Sequence, residues 1–276
     1  MSPNSPEMSS YSLDDLLLLM ERLRDPVDGC PWDKAQSFQS IVPHTLEECY
    51  ELADAIENEN TDQVIEELGD VLFQIVFYAQ LGRENRQFNL DKIITILVEK
   101  LLRRHPHVFP DGSLQSRALD NDLDSEEISR NWEKIKTHER RNKHQFSILD
   151  DIPASLPALT RAFKLQKRVA RVGFDYGDID SVLTSLQSEI NELIEARKTL
   201  SVEDIESELG DVLFSVVNLA RHLKIDPESA VRKTNKKFDA RFRYIEERLL
   251  AAGKTTEDAD LDLMDRLWDD AKSRGL

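Results

Sequence analysis

Cysteine is nearly missing from this chain: Cys30 and Cys49 are the two among 276 residues. Their spacing makes neither a disulfide framework nor a zinc site. Long apolar runs are missing as well. None approaches the ~18 residues of a membrane span, and the opening MSPNSPEMSSYS lacks the basic and apolar regions of a secretory signal. A soluble, cytoplasmic protein is the expectation. Positive charge is in deficit, with 36 basic residues against 53 acidic ones and a net charge of −17. That balance argues against a nucleic-acid backbone as the main partner. It leaves open a nucleotide whose phosphates bind through a metal and a few local cations. Strand-like alternation is also scarce, so the chain reads as all-α, helices joined by short connections.

What the chain does have is an internal repeat. Glu48-x-x-Glu51 followed by Glu67-x-x-Asp70 recurs as Glu189-x-x-Glu192 followed by Glu208-x-x-Asp211, every acid displaced by 141 residues. Between 48–81 and 189–222, 13 of 34 positions are identical, and seven form the unbroken run ELGDVLF. A duplicated unit follows, hence two domains. Residues three apart share a helix face. If the two helices of a set pack antiparallel, four carboxylates converge, repelling at roughly 4 kcal/mol per pair at 4 Å and an effective dielectric near 20. Protons, basic side chains or a metal must offset that. A set with oxygen donors alone suits Mg²⁺ or Mn²⁺. The plainer reading is a solvated acidic face, with Thr45 and Glu48 forming a capping box; repetition of the acids with their apolar neighbours weighs against it. Gly69 and Gly210 each sit inside a helix at a cost of about 1 kcal/mol relative to alanine, which suggests a close backbone approach there.

The periodicity gives helices near 45–58, 62–84 and 90–104 in the first copy, and near 180–198, 203–222, 227–250 and 260–273 in the second. Residues 1–10 read as a loose tail, and 29–34 as a loop whose Trp32 is expected in the core. The Gly, Ser, Asn and Asp content of 111–127 marks an interdomain segment. Arg140, Arg141, Asn142 and Lys143 read as solvated surface. The domain boundaries expected are 1–120, a connecting segment 121–157 with a short helix, and 158–276.

Three functions compete for the acids. A carboxylate-bridged iron centre would want Glu-x-x-His motifs, and no histidine falls in either set. A non-catalytic dimerisation or regulatory scaffold that binds nucleotide or metal explains the helices but not the repeated acids. Metal-assisted phosphoryl hydrolysis uses them all: carboxylates hold the cation, one acid orients the attacking water, and nearby Lys and Arg stabilise charge.

Here the sequence resembles the MazG nucleoside triphosphate pyrophosphohydrolases in their two-domain form. The pattern E-E-x-x-E, spacer, E-x-x-D is matched by Glu47, Glu48, Glu51, Glu67 and Asp70; GCPWDK (29–34), RRHPHVF (103–109), NWEKIK (131–136), QKRVARVGFD (166–175) and NKKFDARF (235–242) are similar too. The resemblance implies two tandem helical bundle domains in a homodimer, and Mg²⁺-dependent hydrolysis of nucleoside triphosphates to monophosphate and pyrophosphate. It implies that Glu189, Glu192, Glu208 and Asp211 ligate metal and position water, that Lys237 and Arg241 hold phosphates, and that Trp268 lies near the base. Glu48, Glu51, Glu67 and Asp70 form a second candidate site, with Lys100 and Arg104 as counterparts of the two cations. The C-terminal copy departs from the pattern at Ser188, where the first glutamate is expected.

Overall fold

The computed structural model describes residues 10–117, 124–142, 145–199 and 201–276; most of the expected N-terminal tail and Lys143 lie outside them. Every described regular element is helical. The chain divides into two compact units, Met1–Ile135 and Lys136–Leu276.

The N-terminal unit contains α1 (Leu13–Leu23), α2 (Pro31–Ala35), α3 (Phe38–Glu57), α4 (Thr61–Glu84) and α5 (Leu90–Arg104). Helix α6 (Ser125–Asn142) runs across the division between the units. A three-residue link folds α4 back along α3, and α1 lies against α4. Their contact is the core: Met20, Ile41, Val76, Phe77 and Leu81 are buried together, with Phe38 and Tyr78 packed on the edge. Each such fully buried side chain contributes about 1.5–3 kcal/mol.

Helix α3 begins earlier than its apolar periodicity suggests. Ser37 and Ser40 form a reciprocal capping box, and Pro43 lies within the first two turns. Thr45 is therefore not a cap. Its hydroxyl is bonded back to the Ile41 carbonyl at 3.1 Å and lies 3.0 Å from the Tyr78 hydroxyl. Trp32 is not in the core either: it is 52% exposed, on the short helix α2, its ring edge-on to His44 at 5.6 Å. Conversely Arg140, expected on a solvated patch, is buried, and one guanidinium nitrogen donates to Thr137 Oγ1 at 2.8 Å.

The C-terminal unit repeats the plan. Helix α7 (Ala158–Ala170) lies against α9 (Val202–His222), which pairs along its length with α8 (Ile179–Thr199). Two further helices, α10 (Pro227–Ala251) and α11 (Leu261–Ser273), pack on each other, and α10 also reaches α7 and α9. Val182, Val217, Ile245 and Leu249 are its buried apolar side chains of largest size. After α7 the chain turns at Gly173, whose φ of +87° favours a residue without Cβ. The Phe174 amide donates back to the Val169 carbonyl, fixing the exit of the Phe174–Tyr176 loop.

Candidate active site

The pairing of α3 with α4, and of α8 with α9, brings the repeated acids together. In the N-terminal unit Glu48, Glu67 and Asp70 each offer a carboxylate oxygen within 4.8 Å of the others; in the C-terminal unit Glu189, Glu192 and Glu208 do the same. Glu51 and Asp211 do not join those triplets, yet both are near enough for their charge to act on the acids beside them. Partial burial, then repulsion from Glu192, Asp211 and Glu208, pushes the Glu189 carboxyl above the ordinary glutamate range. Glu48 is pushed up in the same way, by burial first and then by Asp70, Glu51, Glu67 and Glu47. Repulsion of this kind is what a divalent cation relieves. The donor set fits one: oxygen donors without thiol or imidazole, and in the N-terminal set a buried Glu67 Oε2 with no hydrogen-bond partner.

Ser188, the departure from the acidic pattern, is not idle. Its hydroxyl donates to Glu192 Oε1 at 3.0 Å, orienting a member of the triplet. Gly69 and Gly210 behave otherwise than the helix cost suggests, since a Cβ on either would meet nothing within 4 Å. Among the described residues no neighbouring helix brings its backbone within 4 Å of that point.

Beside the C-terminal acids lies a cavity of about 630 Å³ with Glu189 in its wall. Phe174 and Tyr176 of the loop form one side, Leu165 and Val169 of α7 another, Phe214 and Asn218 of α9 a third. A chain of polar contacts holds the loop in place. Arg221 forms a short ion pair with Asp175 and donates to Asn218 Oδ1 at 2.8 and 3.1 Å. His222 Nε2 lies 3.0 Å from Asp175. Burial pushes the Asp175 carboxyl up, but the hydrogen bonds and charges of Arg221 and His222 outweigh it and hold it below the ordinary aspartate range.

Of the remaining expected contacts, Arg241 and Trp268 meet: the guanidinium sits over the indole, 5.3 Å from its centroid, and Arg241 Nε donates to the Leu276 carbonyl at 2.7 Å. Lys237 is exposed one turn before Arg241. None of the three lines the cavity. Of its polar wall, Gln166 and Asp175 belong to the QKRVARVGFD stretch without an assigned role there, and Ser185, Ser215, Asn218 and Arg221 are absent from the motif-based expectation. The signal for it lies where the repeats differ. At the offset of 141, Asn218 stands where the N-terminal unit has Phe77, Ser215 where it has Gln74, and Ser185 where it has His44. Phe77 is wholly buried.

A family profile described as the MazG nucleotide pyrophosphohydrolase domain matches residues 36–109 and 178–245, one segment in each unit. The chain is 48% identical over 266 residues to a nucleoside triphosphate pyrophosphohydrolase of Escherichia coli K12, covering 96% of this chain and 98% of the relative. It is 41% identical over 259 residues to a Thermotoga maritima protein named nucleoside triphosphate pyrophosphohydrolase/pyrophosphatase MazG, covering 94% and 95%. An uncharacterised Bacillus subtilis protein shares 44% identity over 255 residues, which is 92% of this chain and 50% of that protein.

Proposed function

The chain belongs to the MazG nucleotide pyrophosphohydrolase family, and from that premise we propose that it hydrolyses nucleoside triphosphates to monophosphate and pyrophosphate at the C-terminal acidic set. The observation that carries this choice of unit is the cavity with Glu189 in its wall, because there one carboxylate faces both the acid triplet and a space large enough for part of a nucleotide. In the N-terminal unit the aligned position is filled by Phe77, so Glu48, Glu51, Glu67 and Asp70 are read as a second cation site without turnover.

Glu189, Glu192, Glu208 and Asp211 would hold Mg²⁺, or Mn²⁺ in its place. A cation held there would supply positive charge to the phosphate oxygens and make a nearby water more acidic. One carboxylate of the set orients the water and accepts its proton. The water oxygen ends on phosphorus, the bridge between the α- and β-phosphates breaks, and its electron pair leaves with a phosphate oxygen. Lys237 and Arg241 are the proposed cations for the phosphate chain and Trp268 the proposed base contact. Because none of them lines the cavity, they reach substrate by a rearrangement of α10 and α11 or from a second copy.

We propose a homodimer. Helix α5 buries none of its residues, and Ile94, Leu97 and Leu101 leave an apolar stripe open on it; Leu68, Leu72 and Ile75 of α4 do the same. Such faces are ordinarily covered. No described helix is long and apolar enough to cross a membrane, which is compatible with the cytoplasmic location we propose.

The deciding experiment is product analysis with each common triphosphate and Mg²⁺. Monophosphate with pyrophosphate is expected, and excess chelator should abolish it. Diphosphate with inorganic phosphate would replace this reading with a γ-phosphatase, and no product with any metal would leave a scaffold.

A further inference from the structure

Ser188 is the one position of the acidic pattern at which the two copies part, standing at the offset of 141 where the N-terminal unit has Glu47. Its hydroxyl also behaves unlike others on the helices. Thr45, Thr95, Thr184 and Thr234 each donate back to the carbonyl four residues earlier, at 3.1, 2.8, 2.8 and 3.1 Å. That is the ordinary outcome for a hydroxyl inside a helix. Ser188 donates forward instead, to Glu192 Oε1 at 3.0 Å. A carboxylate held by one oxygen keeps its orientation and presents the other oxygen to a cation. The two triplets differ accordingly: Glu192 joins Glu189 and Glu208, whereas its counterpart Glu51 stays outside the set of Glu48, Glu67 and Asp70. Glu47, when ionised, has no proton to donate to Glu51. It lies 3.8 Å from His44 Nδ1, one turn earlier on α3. After burial and the acids Asp70, Glu51 and Glu67, its charge helps push the Glu48 carboxyl up. Beside Glu189 that fifth charge is gone.

We infer that Ser188 is a positioning residue for the divalent cation: its hydroxyl holds Glu192 in the C-terminal triplet, and a neutral side chain there spares Glu192 the repulsion that a fifth carboxylate would exert. The inference rests on the metal reading above and deepens it. The departure from the pattern is then what completes the C-terminal ligand set, and Glu47 is what leaves Glu51 outside the N-terminal one. Ser188 acts only through Glu192, so its effect on the cation disappears when that carboxylate does.

Mn²⁺ binding by the full-length chain tests it without any substrate. Glu48→Gln together with Glu67→Gln silences the N-terminal set, so the Mn²⁺ still bound belongs to the C-terminal acids. The free ion is counted by its electron paramagnetic resonance signal. In that background Ser188→Ala should weaken Mn²⁺ binding about ten-fold, the low end for losing a partner that orients a metal ligand, because Ser188 is exposed. Glu192→Ala should weaken it at least as far. Ser188→Ala added to Glu192→Ala should change nothing further, since no carboxylate is left to hold. Alanine is the better helix former at this exposed position, so Ser188→Ala keeps α8 intact, and an unchanged Mn²⁺ affinity overturns the inference. The same ten-fold loss on top of Glu192→Ala overturns it too, because Ser188 would then reach the cation by another route. Both results leave the metal reading standing. If the C-terminal acids bind no Mn²⁺ at all, that reading falls together with the inference.

Discussion

Glu189 stands in two surroundings at once, the acid triplet and the cavity wall, whereas its counterpart Glu48 stands beside a filled core. Neutralising each without changing its shape therefore separates the two copies. Glu189→Gln should cut kcat by roughly 10²-fold or more, and Glu48→Gln should leave most turnover in place. Reversed effects in the same assay would move the working site to Glu47, Glu48, Glu51, Glu67 and Asp70. Asp175 gives a second residue-scale prediction. Its carboxyl is held below the ordinary range in the folded protein, so its stabilising contribution is present above the unfolded value and lost as pH falls through the folded one. Asp175→Asn should thus lower Tm at neutral pH. The gap from the unaltered protein should close on acidification below the ordinary aspartate range. A gap independent of pH in thermal melts across that range would show that the charge of Asp175 is not what holds the loop.

Among the elements, the acidic helices were the most legible in the sequence, because the acids and the ELGDVLF run repeat at one offset and mark the same two helices twice. What could not be read was set by neighbours distant in the chain. The start of α3 was hidden by Pro43, which looks like a helix breaker until Ser37 and Ser40 are seen to cap the turn before it. Trp32 has the composition of a core residue, yet only the placement of α2 decides that its ring meets His44 and water. The cavity was legible only in part: Gln166, Gly173, Phe174 and Asp175 fall in the QKRVARVGFD stretch, but Ser185, Ser215 and Asn218 are positions at which the repeats differ, and a repeat search rewards identity. Gly69 and Gly210 are costly inside their helices, and no close packing among the described residues accounts for them. Their open surroundings, beside the exposed apolar residues of α4 and α9, give the element-scale prediction. By helix propensity alone, alanine at either site would add up to about 1 kcal/mol of stability. In the proposed homodimer these faces meet a second copy, so Gly69→Ala and Gly210→Ala should instead shift the mass toward monomer at micromolar concentration. Light scattering reads the difference, and a unit-mass particle in the unaltered protein would reject the dimer outright.

At the scale of the molecule, one ancestral bundle has been written twice and its two cores have been completed differently. The N-terminal unit closes on Phe77, Met20 and Ile41, the largest of the fully buried side chains, and the C-terminal unit has a solvent-open cavity of about 630 Å³ beside Glu189. Side chains that face such a cavity make fewer contacts than those of a filled core. Metal and substrate therefore act on unequal partners. In scanning calorimetry of the chelated protein, the heat absorption should resolve into two transitions, the cooler one belonging to the C-terminal unit. Mn²⁺ should raise both, whereas a non-hydrolysable nucleoside triphosphate added with it should raise only the cooler. A single transition, or a nucleotide effect on the warmer one, would contradict this division. Phe77 then has a meaning beyond its own burial. Under the proposed division of roles, warming with the nucleotide pool depleted should cost the catalyst first and leave its frame standing.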